Sequence, residues 1–211
     1  MIAVPPCLAD ALRLMLVTDD HLLGDRDLVT ICRAAEAGGV TSIQIRLKLE
    51  EPRSMLSLVR AVMDAVRIPV VVNDRLDVAV AAGAAGVHLG PDDLPVTLAR
   101  RIVPVGFWIG ASVGTEAEVP GGAAADYWGI GPVRRTSTKS GAGDPLGVSG
   151  FERLARSSSP SQPCVAIGGV RPEDVAPMFG AGAAGVAVAS GILAAEDVQA
   201  AAARYRRAIG L

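Results

Sequence analysis

Short apolar runs alternate with longer amphipathic stretches along the whole chain. The runs are RLMLV at 13–17, SIQIR at 42–46, VVVN at 70–73 and GVHL at 86–89. They continue as WIGAS at 108–112, YWGIG at 127–131, CVAIG at 164–168 and GVAVA at 185–189. Several are apolar at nearly every position, as expected of a strand covered on both faces in a parallel sheet. Helix-like stretches lie between them, at 26–37, 53–66, 75–82, 94–102, 115–119, 148–156, 172–180 and 194–208. Eight strands alternating with eight helices predict an α/β fold, a (βα)8 TIM barrel with a parallel eight-stranded sheet.

Local patterns alone also fit an open doubly wound sheet, and an internal repeat favours the barrel. AGAAGV occurs at 82–87 and again at 181–186. Each copy follows a strand and a helix and leads into a strand, as the two ends of a duplicated half-barrel would. The run SSSPSQP at 157–163 reads as a loop before the seventh strand. One domain over 1–211 is expected, with residues 1–12 as an N-terminal extension.

Composition narrows the function. Half of the 211 residues are hydrophobic, enough for a sizeable core. The formal net charge of −2 and 3% aromatic content argue against a nucleic-acid surface. Cys7, Cys32 and Cys164 are odd in number and form no CxxC pair. They read as reduced thiols of a cytoplasmic protein, each a small core residue. The stretch 175–195 carries no charge, but Pro177 and four glycines break it into helix, turn, strand and turn, so no membrane span is expected.

The polar residues fall where barrel chemistry sits, at the C-terminal strand ends. Strand two ends QIRLK, and period-two spacing places Gln44, Arg46 and Lys48 on one face. Three polar groups on an inner face call for an anionic partner. Strand three ends in Asn73 and Asp74, and strand four runs into Asp92 and Asp93. Each aspartate also fits a helix cap, but Asp74 and Asp93 at one barrel end form a hard-oxygen pair suited to Mg²⁺. His88 reads as a satisfied structural histidine or as a ligand or acid. Strand five ends at Ser112. The loop after strand six, GPVRRTSTKSGAGDPLG, concentrates cations and hydroxyls in an otherwise apolar chain. Gly168 and Gly169 after strand seven, and Ala189 to Gly191 after strand eight, occupy the usual place of a backbone phosphate cradle. Two anion sites are implied: one around Arg46, Lys48, Lys139 and the metal, one at Gly169 and Ser190.

QIRLK, VNDR, GVHLGPDD, GAS, GP…TSTK, IGGV and ASGI, in this order, resemble the thiamine-phosphate synthase family from about residue 13 to 209. The resemblance implies a transferase that joins hydroxymethylpyrimidine diphosphate to the phosphate of hydroxyethylthiazole, or of its carboxylated form. Thiamine monophosphate and pyrophosphate are the products. It further implies Mg²⁺ on Asp74 and Asp93, and catalytic roles for Arg46, Lys48, Ser112 and Lys139. The segment Gln44, Ile45, Arg46, Leu47 and Lys48 would bind the pyrimidine diphosphate with Asn73, Ser112 and Lys139. Thr136, Ser137 and Thr138 would contact the thiazole, and Gly169, Ala189 and Ser190 its phosphate. TSTK would be a flap that closes over the site.

The chain departs from the family at Met15, where an aromatic is usual, and at Arg134 and Arg135, which are expected either to contact phosphate or to solvate the flap. A thiazole tautomerase on the same barrel would need a histidine soon after strand five, where GASVGTEAE has none. A non-catalytic thiazole-phosphate binder would not need both aspartates and Lys139. Small-molecule partners are expected, with no nucleic acid or membrane; a homo-oligomer is allowed, since barrels commonly associate.

Overall fold

The structure is a computed structural model that describes residues 7–136 and 143–210. Eight parallel strands close into a barrel in sequential order: β1 (Leu14–Val17), β2 (Ser42–Ile45), β3 (Val70–Asn73), β4 (Gly86–Leu89), β5 (Trp108–Val113), β6 (Tyr127–Ile130), β7 (Cys164–Ile167) and β8 (Gly185–Val188). β8 pairs back onto β1, with Leu14 opposite Val186, so the sheet has no edge. The open doubly wound alternative is thereby excluded.

The apolar runs are explained by two separate cores. One face of each strand packs outward against the helices; Leu14, Ile43, Ile45, Val72, Val87 and Trp128 are among its buried members. The alternate residues fill the lumen, where Met15, Val17, Tyr127, Val165 and Ala187 pack with Leu12. Leu12 follows the short helix Leu8–Ala11 in the N-terminal extension, so the end of that extension contributes to the barrel's inner packing.

Both copies of the repeat use their glycines alike. Gly83 and Gly182 turn the chain at φ 75° and 92°, a backbone conformation costly for side chains with a Cβ. Gly86 and Gly185 then open β4 and β8. A Cβ on Gly86 would lie 2.4 Å from the Trp108 carbonyl oxygen, and one on Gly185 only 1.8 Å from that of Leu12. The repeat therefore marks two opposed places where neighbouring backbone passes too closely for any side chain.

Several helices are shorter than the pattern predicts. The expected helix at 94–102 holds one α turn, Val96–Ala99, and that at 115–119 is a 3₁₀ turn followed by Val119–Gly122. Pro95, Pro104, Pro120 and the Gly121–Gly122 pair punctuate these stretches. Two one-turn helices at strand ends, Asp20–Leu23 and Ser190–Leu193, interrupt segments expected to be loop. Cys32 and Cys164 are core thiols, and burial pushes that of Cys32 up to about 12. Cys7 departs from expectation: it is exposed, just before Leu8–Ala11. No helix among the described residues is long and apolar enough to cross a membrane.

Candidate active site

The end of β2 is held by the two aspartates that follow β1. Asp19 is buried and caps Asp20–Leu23 by accepting from the His21 and Leu22 N–H groups. Its other oxygen receives Arg46 Nη1 at 2.5 Å. Asp20 accepts from the Lys48 N–H at 2.7 Å, and Thr18 Oγ accepts from the Arg46 N–H at 2.8 Å. The segment 46–48 is thus pinned by side chains from a neighbouring strand, and the Arg46 guanidinium is aimed before any ligand arrives. Ile45 and Leu47 turn their side chains into the outer core, so contact with substrate falls to their backbones. Gln44 is buried on the lumen side.

Neither aspartate of the proposed metal pair caps a helix with its side chain. The helices after β3 and β4 begin behind Arg75 and Pro95, which make no side-chain cap. Asp74 instead holds Lys48 Nζ at 2.9 Å. Its φ of 63° makes it the single non-glycine residue in the left-handed region among those described, and Asp tolerates that conformation better than most. Asp93 accepts from the Gly90 N–H at 2.6 Å, while Asp92 is exposed to solvent. Burial raises the Asp93 carboxyl above its ordinary value, and the adjoining Asp74 carboxylate raises it further. A pocket of about 120 Å³ adjoins Asp74, lined also by Leu47, Lys48, Glu50, Asn73 and Arg75. A larger groove of about 380 Å³ runs from Asp93 and Ser112 outward between the loops after β4 and β5.

No cluster of three or more acidic, histidine or cysteine ligands occurs among the described residues. The Asp74 and Asp93 carboxylates beside Lys48 are hard oxygen donors of the kind that would suit Mg²⁺, with its other ligands coming from outside the protein.

Ser112 stands at the mouth end of β5, with its Oγ 3.1 Å from His88 Nε2. On the far side, Gly168 and Gly169 leave β7 at φ 87° and 69°, and Ser190 opens Ser190–Leu193 after β8. β7 and β8 are paired, with Ile167 opposite Ala187, so Gly169, Ala189 and Ser190 come together at one rim. Among the described residues none accepts from the N–H groups of Gly169, Ser190 and Gly191. They supply the uncommitted donors that an anion cradle needs.

The base of the loop after β6 lies on this rim. The Val133 and Arg134 N–H groups donate to the Ile167 and Gly168 carbonyls, at 2.9 Å each. Arg134 then forms a two-pronged pair with Asp174, at 2.8 and 2.6 Å. The guanidinium holds the Asp174 carboxyl below the usual range. Arg134 is therefore a strut between the loop base and the turn after β7, a role outside both alternatives foreseen for it. Arg135 is exposed and Thr136 half-buried. Ser137, Thr138 and Lys139 lie outside the described residues.

Sequence reasoning missed Asp19 and Tyr127. Asp19 had a signal: TDD directly after β1, at the same barrel end as QIRLK. Tyr127 had none, because an aromatic in an apolar strand reads as core.

A model of the thiamine monophosphate synthase family matches residues 14–192. A thiamine-phosphate synthase of Albidiferax ferrireducens is 43% identical over 94% of this chain and 92% of its own length. One of Methanoculleus marisnigri is 44% identical over 92% and 93%. The solved thiamine phosphate pyrophosphorylase of Pyrococcus furiosus superposes with a TM-score of 0.85 at 34% identity, over 96% of this chain and 98% of that one. With the polar groups of its barrel mouth arranged as described, the chain belongs to the thiamine-phosphate synthase family.

Proposed function

We propose that this barrel mouth breaks the bond between the methylene carbon and the diphosphate of hydroxymethylpyrimidine diphosphate. The electron pair leaves with pyrophosphate, and the nitrogen lone pair of hydroxyethylthiazole phosphate, or of its carboxylated form, then bonds to the methylene carbon. The observation that carries this reading is the Asp74–Asp93 pair set beside Lys48, with Arg46 held by Asp19 at the same end of the barrel. Such a departure needs charge stabilisation on the leaving group and firm placement of two partners, and little acid–base help.

Asp74 and Asp93 would hold Mg²⁺, which supplies positive charge to the departing diphosphate. Arg46 and Lys48 contribute fixed positive charge to the same oxygens. Asn73 and Ser112 position the diphosphate. Gly169, Ala189 and Ser190 hold the thiazole phosphate on the opposite rim, which keeps the two phosphorylated groups apart. A cytoplasmic location belongs to the same reading. Leu94, Leu98, Ile102 and Val105 are exposed after β4 and offer the apolar surface that a second copy in a homo-oligomer would cover.

The test follows thiamine monophosphate and pyrophosphate together while Mg²⁺ is titrated. Equal amounts of both, dependent on the metal, are expected. Binding of thiazole phosphate with no product would sink the reading.

A further inference from the structure

The lumen contains polar side chains that this reaction leaves unused. His88 and Tyr127 are buried, at 6% and 1% exposure. Tyr127 Oη lies 3.1 Å from His88 Nδ1, and His88 Nε2 lies 3.1 Å from Ser112 Oγ. The Gln44 side chain lies in the same lumen, where its Nε2 donates to Met15 Sδ at 3.5 Å. A hydrogen-bonded chain therefore runs from Tyr127 on β6 through His88 on β4 to Ser112 on β5. Ser112 at its mouth end is assigned to substrate; Tyr127 and His88 are not.

The neighbouring strands are cut away to fit the two rings. A Cβ on Gly110 would lie 2.2 Å from Tyr127 Cζ and 2.5 Å from His88 Nδ1. One on Gly129 would lie 3.0 Å from His88 Cε1. A histidine that merely filled space would not need two missing side chains to align it with a tyrosine and a serine.

This chain has a direction. Tyr127 is 1% exposed, and His88 Nδ1 is the one acceptor its hydroxyl reaches among the described residues, so the phenol sends its proton there. A neutral imidazole whose Nδ1 accepts carries its proton on Nε2. That N–H donates to Ser112 Oγ. Among the described residues the Ser112 proton then has no acceptor in the lumen, and it turns toward the mouth. We infer that Tyr127 and His88 are positioning residues: they lock Ser112 as a hydrogen-bond donor toward the anionic diphosphate. A serine free to rotate would present its lone pairs to that anion part of the time; a locked one is preorganised for the charge that develops on the leaving group. The inference deepens the proposed function and rests on it.

The chain has two histidines, which makes a direct readout practical. Ring ¹⁵N NMR on the full-length, histidine-labelled protein reports which nitrogen carries the proton, with the exposed His21 assigned through His21→Asn. The His88 ring is expected in the Nε2–H form without any substrate present. Tyr127→Phe should lower kcat roughly three- to tenfold with the KM for thiazole phosphate little changed. His88→Gln, which keeps an N–H near the Nε2 position, should retain more kcat than His88→Leu. An Nδ1–H ring in the wild type would overturn the inference, as would Tyr127→Phe with undiminished kcat. Should a substituted protein misfold, the wild-type spectrum still decides. Because that spectrum needs no turnover, its failure in an active synthase refutes the lock alone, whereas absent synthase activity refutes the parent reading.

Discussion

Asp93→Asn should lose activity by roughly a hundredfold or more, about 3 kcal/mol of transition-state stabilisation, while the protein stays at least as stable as the wild type. The two effects have one cause. Burial and Asp74 raise the Asp93 carboxyl above its ordinary value. A carboxyl raised in the folded state favours folding most at pH values below its unfolded pKa. That advantage is lost as pH rises through the folded value, so the ionised group opposes folding at neutral pH. The amide removes that penalty and also removes the proposed metal ligand. Mg²⁺ should accordingly raise the melting temperature of the wild type and leave that of Asp93→Asn unmoved. Thermal melts with and without the metal, alongside initial rates, check both halves. A variant that lost stability and activity together would place Asp93 in the scaffold rather than at the metal.

Arg46→Ala should damage both stability and rate. Asp19 keeps its two backbone donors but loses its countercharge while 4% exposed, which costs about 2–3 kcal/mol of stability. On the proposed reading the diphosphate also loses a guanidinium that Asp19 holds in place, worth roughly a hundredfold in kcat. The double variant Asp19→Asn with Arg46→Ala separates the two effects. It should recover most of the lost stability, because no buried charge is left unpaired, and none of the lost rate. Chemical denaturation and steady-state kinetics on the wild type and the two variants are sufficient. If the double variant regained activity, the value of Arg46 would lie in holding Asp19.

The strands were legible because each is covered on both faces and so reads as a nearly unbroken apolar run. The inward polar positions were legible too: Gln44 and Arg46 stand two apart at the end of β2, and Asp74 and Ser112 fall directly at strand ends. What the sequence concealed is partnership. Arg134 reads as a loop cation, and only the fold brings Asp174, 40 residues away, against it. His88 reads as either ligand or core until Tyr127 and Ser112 close around it from β6 and β5. Helix lengths failed where hydrophobic spacing and local punctuation disagree. The residues 94–102 carry helical spacing, yet prolines and glycine nearby leave a single turn.

The central claim is that the mouth drives a dissociative departure of pyrophosphate. It is tested most directly with pyrimidine diphosphate carrying ¹⁸O in the bridging C–O–P oxygen, incubated with enzyme and Mg²⁺ while thiazole phosphate is withheld. The account predicts that recovered substrate has the label redistributed to non-bridging oxygens of the phosphate next to carbon, through reversible departure and recombination. That redistribution should depend on the metal and vanish in Asp93→Asn. Label held in the bridge by an enzyme that still forms thiamine monophosphate at full rate would contradict it and point to direct displacement by the thiazole.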